Sequence, residues 1–256
     1  MSFANRVVIV TGASSGIGWE LAKELTRQQA KVGLLARREG ELQKLTEEIR
    51  AMGGTVEYAV CDVTDRAKTN GAIHSLAARL GPVDVLIANA GVGTGNPPGD
   101  LNMTASEMVI KVNLLGFMYS LEAVLPEMLK RGSGQIAAIS SLAAYKGIPG
   151  AAAYSASKSA VNAYMESLRI QLRGSGVSFT TVCPGFIKSP MTENNKGMFL
   201  VYDTDVAARK ILRGIRKQWK VYNFPWLTTR LMKITYWLPD WLLHRTMPKE
   251  VGGKGA

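Results

Sequence analysis

The sequence predicts an α/β fold, a doubly wound parallel sheet with helices on both faces. Three observations predict it. Short β-branched runs alternate with longer stretches of helical periodicity. The runs are almost continuously apolar, as strands covered by helices on both faces must be. The first run passes through a glycine-rich turn directly into a helical pattern. The strand runs are 6–10, 31–36, 56–61, 83–89, 135–140, 177–182 and 220–224; the helical patterns between them are 18–29, 39–52, 66–80, 106–130 and 154–173.

The chain opens with Met1-Ser2-Phe3-Ala4-Asn5 and enters the first strand at once, with no secretory leader pattern. No run of roughly 18 uninterrupted apolar residues is present, so the expected location is cytoplasmic. The first strand ends in Thr11-Gly12-Ala13-Ser14-Ser15-Gly16-Ile17-Gly18. Glycines let the backbone turn tightly and approach a pyrophosphate, and the helix that follows presents free N–H groups and its positive dipole end. The Gly-x-x-x-Gly-x-Gly spacing differs from Gly-x-Gly-x-x-Gly, and a tight strand-to-helix turn would use similar residues. Its place after the first strand of a βαβ series favours the phosphate cradle.

The second strand ends in Ala36-Arg37-Arg38, where a site for NAD would place an acid on the ribose hydroxyls. Guanidinium groups suit a ribose 2′-phosphate instead, which favours NADP(H). The plainer alternative is that both arginines are solvated residues at a helix entry. Asn96-Pro97-Pro98-Gly99 has the composition of a surface loop. Tyr154 and Lys158 fall four residues apart on one helical face, 13 residues beyond Ser141 at the C-terminal end of the fifth strand. A phenol titrates near pH ~10 unaided, and an ammonium one turn away favours the phenolate.

Composition narrows the classes. The 256 residues are 46% hydrophobic and 20% charged, with 26 Gly, 10 Pro and 2 Cys. That is enough to bury one large core, and it excludes a disordered chain, a collagen-like repeat and a disulfide scaffold. Cys61 and Cys183 stand far apart without metal-ligand spacing, so no metal is expected. The formal net charge of +11 is unevenly placed: residues 1–204 hold 20 Lys/Arg against 17 Asp/Glu, and residues 205–256 hold 11 against 3.

Taken together, Thr11-Gly12-x-x-x-Gly16-Ile17-Gly18, Asp62-Val63, Asn89-Ala90-Gly91, Asn113, Ser141, the Tyr154/Lys158 pair and Pro184-Gly185 resemble the classical short-chain dehydrogenase/reductase family. They keep its order and spacing over roughly residues 5–224. The resemblance implies a Rossmann-like sheet, a nicotinamide cofactor, for which Arg37 and Arg38 favour NADP(H), and interconversion of a ketone and a secondary alcohol. It makes Tyr154 the general acid and base, Ser141 the group that polarises the carbonyl oxygen, and Lys158 the residue that binds the nicotinamide ribose and lowers the tyrosine pKa. Asn113 would position a proton-relaying water, although a buried asparagine in an apolar helix is also merely structural in other settings. Ser14 and Ser15 belong to the cradle with Thr11, Gly12, Gly16, Ile17 and Gly18. Asp62 and Val63 would hold the adenine, and Asn89, Ala90 and Gly91 the central strand and cofactor. Beyond Pro184 and Gly185, Ile187 would contribute backbone contacts, and Ser189 stands where the family often has a threonine against the carboxamide. His74 and His244 lack partner patterns and read as helix-surface residues; Asp84 reads as structural.

The segment 186–203 carries Met191, Met198, Phe199, Leu200 and Tyr202, which suits an apolar substrate: lipid-like, steroid-like or 3-oxoacyl. Residues 1–224 are expected to form the catalytic domain and 225–256 a basic, Trp-rich extension. Trp219, Trp226, Trp237 and Trp241 lie in the C-terminal quarter with Arg230, Lys233 and Arg245, and apolar residues at 227, 231, 234 and 238 have helical spacing. Such a segment suits the cytoplasmic face of an anionic membrane; a dimer contact and a flap over the cleft are the alternatives, and no groove-reading element points to nucleic acid. The family resemblance implies a homodimer or homotetramer built on the Asn113 and Tyr154 helices. A nucleotide-binding membrane protein with little turnover is the rival reading, and it leaves the Asn113/Ser141/Tyr154/Lys158 set without a purpose.

Overall fold

The computed structural model describes residues 2–93, 101–189, 191–192, 200–235 and 237–239. The expected loop at 96–99, and Met198, Phe199, Trp241, His244 and Arg245, lie outside the described residues. Seven parallel strands form one sheet in the order β3-β2-β1-β4-β5-β6-β7. They are β1 (Val7–Thr11), β2 (Lys31–Ala36), β3 (Thr55–Val60), β4 (Val85–Ala88), β5 (Gly134–Ile139), β6 (Val177–Pro184) and β7 (Val221–Phe224). The chain lays down β1, β2 and β3 outward on one side and then crosses to β4 on the other side of β1. That reversal leaves a crevice beyond the C-terminal ends of β1 and β4, where open sheets of this kind bind ligands.

The central strands read as apolar runs because both their faces are covered. Every residue of β1 and of β4 is buried. On one face pack α1 (Gly16–Arg27), α2 (Glu39–Ala51) and α8 (Thr204–Arg216), through Leu21, Leu25, Leu45 and Ile211. On the other pack α3 (Arg66–Leu80), α4 (Met103–Ile110), α5 (Gly116–Glu122), α6 (Leu125–Arg131) and α7 (Ala152–Gln171), through Ile73, Phe117, Leu121 and Val161. Helix α9 (Trp226–Thr235) follows β7 directly. The sheet and its helices thus have the doubly wound, Rossmann-like arrangement the alternation predicts.

Two elements depart from the sequence pattern. The periodicity over 106–130 predicts one helix, but the stretch is interrupted by a π-helical turn at Lys111–Leu115 and by a break before α6. Pro126 sits at the start of α6, where its missing N–H costs nothing, and Val124 takes a non-ideal conformation ahead of it. The second departure is α8, whose apolar stripe lies among five basic and acidic residues in a segment where the sequence pattern predicts no helix. Met103–Arg131 is long and apolar enough to cross a membrane by composition, yet half of its most apolar window is buried within the fold. Asp84 precedes β4 and accepts the Val7 N–H at 2.9 Å, a structural role.

Candidate active site

The floor of the crevice is a stitch between β1 and β4. Thr11 Oγ1 accepts the N–H groups of Asn89 and Ala90, each at 3.0 Å. Asn89 Nδ2 returns the link by donating to the carbonyls of Thr11 at 3.0 Å and Gly12 at 3.3 Å. Gly12 has a φ of +67°, and a Cβ there would lie 2.7 Å from Ala90 Cα, so only glycine lets the turn sit against the β4 loop. Gly18 is pressed in the same way against the Gly12 carbonyl, 2.3 Å from an added Cβ.

A cavity of about 510 Å³ lies over this floor. Gly12, Ser14, Ser15, Gly16 and Ile17 line its centre, and Ser15 leads into α1 with no side chain capping the helix. The first N–H groups of α1 are therefore left for a ligand with negative charge. Arg37, Arg38, Asp62 and Val63 line one end. Arg38 is held in place, donating from Nη2 to the Ser14 carbonyl at 2.9 Å and from Nε to Ser14 Oγ at 3.2 Å. Arg37 stands 3.6 Å from the Asp62 carboxylate and is half exposed. Burial works to raise the Asp62 carboxyl, but hydrogen bonds from Thr64 and the Arg37 guanidinium outweigh it and hold the group below its ordinary value.

Ser141, Tyr154 and Lys158 line the other end together with Pro184, Gly185, Ile187 and Ser189. The segment after β5 is pinned to α7: Ser159 Oγ donates to the Ala144 carbonyl at 2.8 Å, and the Ile148 N–H donates to Ser155 Oγ at 3.2 Å. This brings Ser141 beside the tyrosine. Burial pushes the Tyr154 phenol above its ordinary value, and a hydrogen bond with Ser141 opposes that rise. Lys158 Nζ lies 5.8 Å from the centre of the Tyr154 ring and donates to the Ile139 carbonyl at 2.9 Å. Burial pushes the lysine down to about 8. The ammonium thus spends a hydrogen bond on the end of β5, and the phenol's shift is set by burial and Ser141. Ser140, the neighbour of Ser141, has its hydroxyl engaged, donating to the Lys158 carbonyl at 3.2 Å.

Three of the residues expected at the site stand behind its wall. Thr11 and Gly18 are consumed by the floor, and Asn113 is 1% exposed. Asn113 Oδ1 accepts the Val92 N–H at 2.8 Å, and Nδ2 donates to the Val92 carbonyl at 2.9 Å and to Ser157 Oγ at 3.0 Å. Both amide hydrogens are thereby used in tying the β4 loop to α7. Conversely, Val92, Gly93, Ser140, Met191 and Thr192 line the cavity. Of these only Met191 stands out in the sequence; Val92 and Gly93 merely follow the Asn89-Ala90-Gly91 motif. Thr192 Oγ1 donates to the Ile187 carbonyl at 2.6 Å and lies 3.3 Å from Ser189 Oγ, so the two hydroxyls form one polar corner. His74 is exposed on α3, with Nε2 at 3.2 Å from the Ala123 carbonyl. Among the described residues no group of three His, Cys, Asp or Glu is placed to hold a metal.

An open parallel sheet with a glycine turn at its switch point is the architecture of dinucleotide-dependent oxidoreductases. The family model for short chain dehydrogenase matches residues 6–198, and the chain belongs to that family of oxidoreductases. It is 41% identical over 233 residues to an uncharacterized oxidoreductase of Myxococcus xanthus, covering 90% of this chain and 92% of that one. It is 32% identical over 222 residues to the ketoacyl reductase HetN of Nostoc, covering 87% of this chain and 74% of that protein. Among solved structures, gox2181 superposes with a TM-score of 0.81 at 27% identity, covering 87% of this chain and 95% of that one. The family uses nicotinamide cofactors, NAD(P)(H), on small-molecule substrates, and the cavity fits such a group. Its uncapped helix start and side-chain-free Gly12 suit a pyrophosphate, and its length runs from two arginines to the tyrosine and lysine.

Proposed function

We propose that this chain is an NADPH-dependent reductase of an apolar ketone, with a 3-oxoacyl group within the same class. The observation that carries the reading is the arrangement of Tyr154, Ser141 and Lys158 in one cavity with Arg37 and Arg38. Ser14, Ser15, Gly16 and Ile17 would hold the pyrophosphate, Asp62 and Val63 the adenine, and Arg37 with Arg38 the ribose 2′-phosphate. Asn89, Ala90, Gly91, Pro184, Gly185, Ile187 and Ser189 would bed the nicotinamide half. The bound cofactor supplies the hydride.

The side chains supply the rest. Ser141 donates a hydrogen bond to the substrate's carbonyl oxygen and stabilises the charge that grows there. Tyr154 transfers its phenolic proton to that oxygen; the Oη–H bond breaks as the alcohol O–H bond forms. A phenol raised by burial stays protonated near neutrality, which suits the reducing direction. Lys158 holds the ribose hydroxyls and stabilises the phenolate left behind. Thr11, Gly18 and Asn113 act as positioning residues. HetN, whose name states that it reduces a ketoacyl group, supports the 3-oxoacyl variant. The catalytic unit would be 1–224, assembled as a dimer or tetramer through the helical stretch that carries Asn113 and the Tyr154 helix α7, along which Met108 and Ile170 are exposed.

The test is a panel of ketones offered to the purified protein with NADPH and NADH, followed by nicotinamide absorbance. Apolar ketones are expected to be reduced with NADPH. Tyr154→Phe should slow reduction by about 10²- to 10⁴-fold while NADPH still binds. Reduction of no carbonyl, or an unchanged rate in Tyr154→Phe, overturns the reading.

A further inference from the structure

The charge surplus of the C-terminal region is concentrated. Residues 205–239 hold 8 Lys/Arg and a single acid, Asp205. Within them, α9 leaves most of its aliphatic side chains outside. Its face toward the protein presents Thr228 and Thr229, which are 5% and 7% exposed, with the half-buried Met232 between them, and Thr229 Oγ1 donates to the Pro225 carbonyl at 2.7 Å. Its outward stripe is Leu227, Leu231 and Ile234, at 44%, 45% and 57% exposure. Trp226 begins the helix and Trp237 lies two residues beyond its end, 67% and 84% exposed; Arg230 is exposed between them, and Lys233 stands at the edge of the stripe. Water is a poor partner for such a stripe of Leu227, Leu231 and Ile234, which the described residues leave exposed.

We infer that the outward face of α9 docks on an anionic lipid bilayer. Aliphatic side chains at i, i+4 and i+7 with terminal indoles and interleaved cations match the chemistry of a bilayer interface, in which tryptophan settles at headgroup level. Charge decides against a second copy of the same surface. Two segments of like sign repel across a dimer, whereas acidic headgroups attract each residue of the surplus. Arg230 stacks on Trp226 at 5.4 Å, which keeps a cation beside the indole. The position relative to the cavity adds to the case. Pro225, immediately before α9, packs on Gly185 of the cavity wall, 2.9 Å from where a Cβ would stand. Lys233 Nζ lies 5.2 Å from the ring centre of Tyr145, four residues beyond Ser141. Docking would therefore anchor to the lipid surface a helix that is joined through Pro225 and Lys233 to the segments carrying Gly185 and Ser141. The docking itself does not depend on the reductase reading.

The experiment is flotation of the full chain with vesicles of phosphatidylcholine containing about one-third phosphatidylserine, without cofactor or substrate. The protein is expected to rise with these vesicles at low salt, to bind less as salt screens the headgroups, and to lose binding by about tenfold in the doubly substituted Leu231→Glu, Ile234→Glu chain. In the unsubstituted protein, brominated acyl chains should quench tryptophan emission, a readout that needs no variant. Protein that stays at the bottom with anionic vesicles at low salt overturns the inference, as does equal flotation of the double variant. It also falls if the unsubstituted chain ignores vesicles and the double variant turns a dimer into a monomer, for then a second copy covers the face.

Discussion

The α1 helix beside the cradle and the α9 helix beyond β7 carry apolar residues at similar helical spacing and use them in opposite ways. In α1, Leu21 and Leu25 are fully buried between the sheet and α8. In α9, Leu227, Leu231 and Ile234 are turned outward, and Thr228 and Thr229 take inward positions beside the half-buried Met232. Spacing alone identifies a greasy face in both; only burial tells which one belongs to the core.

The sharpest contrast is a leucine deleted from each. Leu25→Ala should cost about 2–5 kcal/mol in urea unfolding, since it leaves a cavity in a close-packed layer. Lys158→Met comes next. The lysine titrates at about 8 in the folded chain against an ordinary 10.5. Between these values the unfolded chain holds a proton that the folded chain has released, so this group makes stability rise with pH over that window and imposes its full cost below it, about 3 kcal/mol. Allowing about 1 kcal/mol for the lost hydrogen bond to Ile139, the variant should be about 2 kcal/mol more stable than its parent at pH 7. That gain should shrink above pH 8; a gain that does not change with pH breaks the account. Arg37→Asp should weaken NADPH by about 10- to 100-fold in a fluorescence titration and NADH far less, because only one of them carries the 2′-phosphate. Equal losses for both would remove the arginine from cofactor choice. The smallest effect is Leu231→Ala, at under about 0.5 kcal/mol in the same unfolding assay as Leu25→Ala. A cost comparable to that of Leu25→Ala would show the α9 stripe to be part of the core.

Periodicity located β2 and α3 to the residue, because each is bounded by residues that cannot extend it: Arg37 and Arg38 after the buried run, Asp65 capping the Lys68 N–H at 3.0 Å. The glycine turn and the Tyr154/Lys158 pair were legible for a similar reason, since local backbone geometry demands those residue types. The interruption at Lys111–Leu115 was not, because a π turn preserves an apolar helical composition. Nor does a motif tell which side of a wall its members occupy. Thr11 and Asn113 make all their named side-chain bonds to protein, while Thr192, with no motif of its own, faces the cavity. The direction of the α9 stripe depends on how the chain leaves β7, a matter of three-dimensional placement that helical spacing does not encode.

The π turn before α5 has a consequence for how much insertion or deletion this stretch tolerates. Each residue added to or removed from a helix rotates everything beyond it by roughly 100°. Upstream of the turn's end, Asn113 must point at Val92 and Ser157; downstream, Phe117 and Leu121 must point at the sheet. Five residues of a π turn, at about 82° each, sweep nearly the angle of four α-helical residues, so the wide turn takes up one extra residue without rotating the halves against each other. Removing a single residue from 111–115 would restore ordinary α-helical winding with α5 still in register, and the disturbance would fall on the turn itself, at the asparagine's lock on the β4 loop.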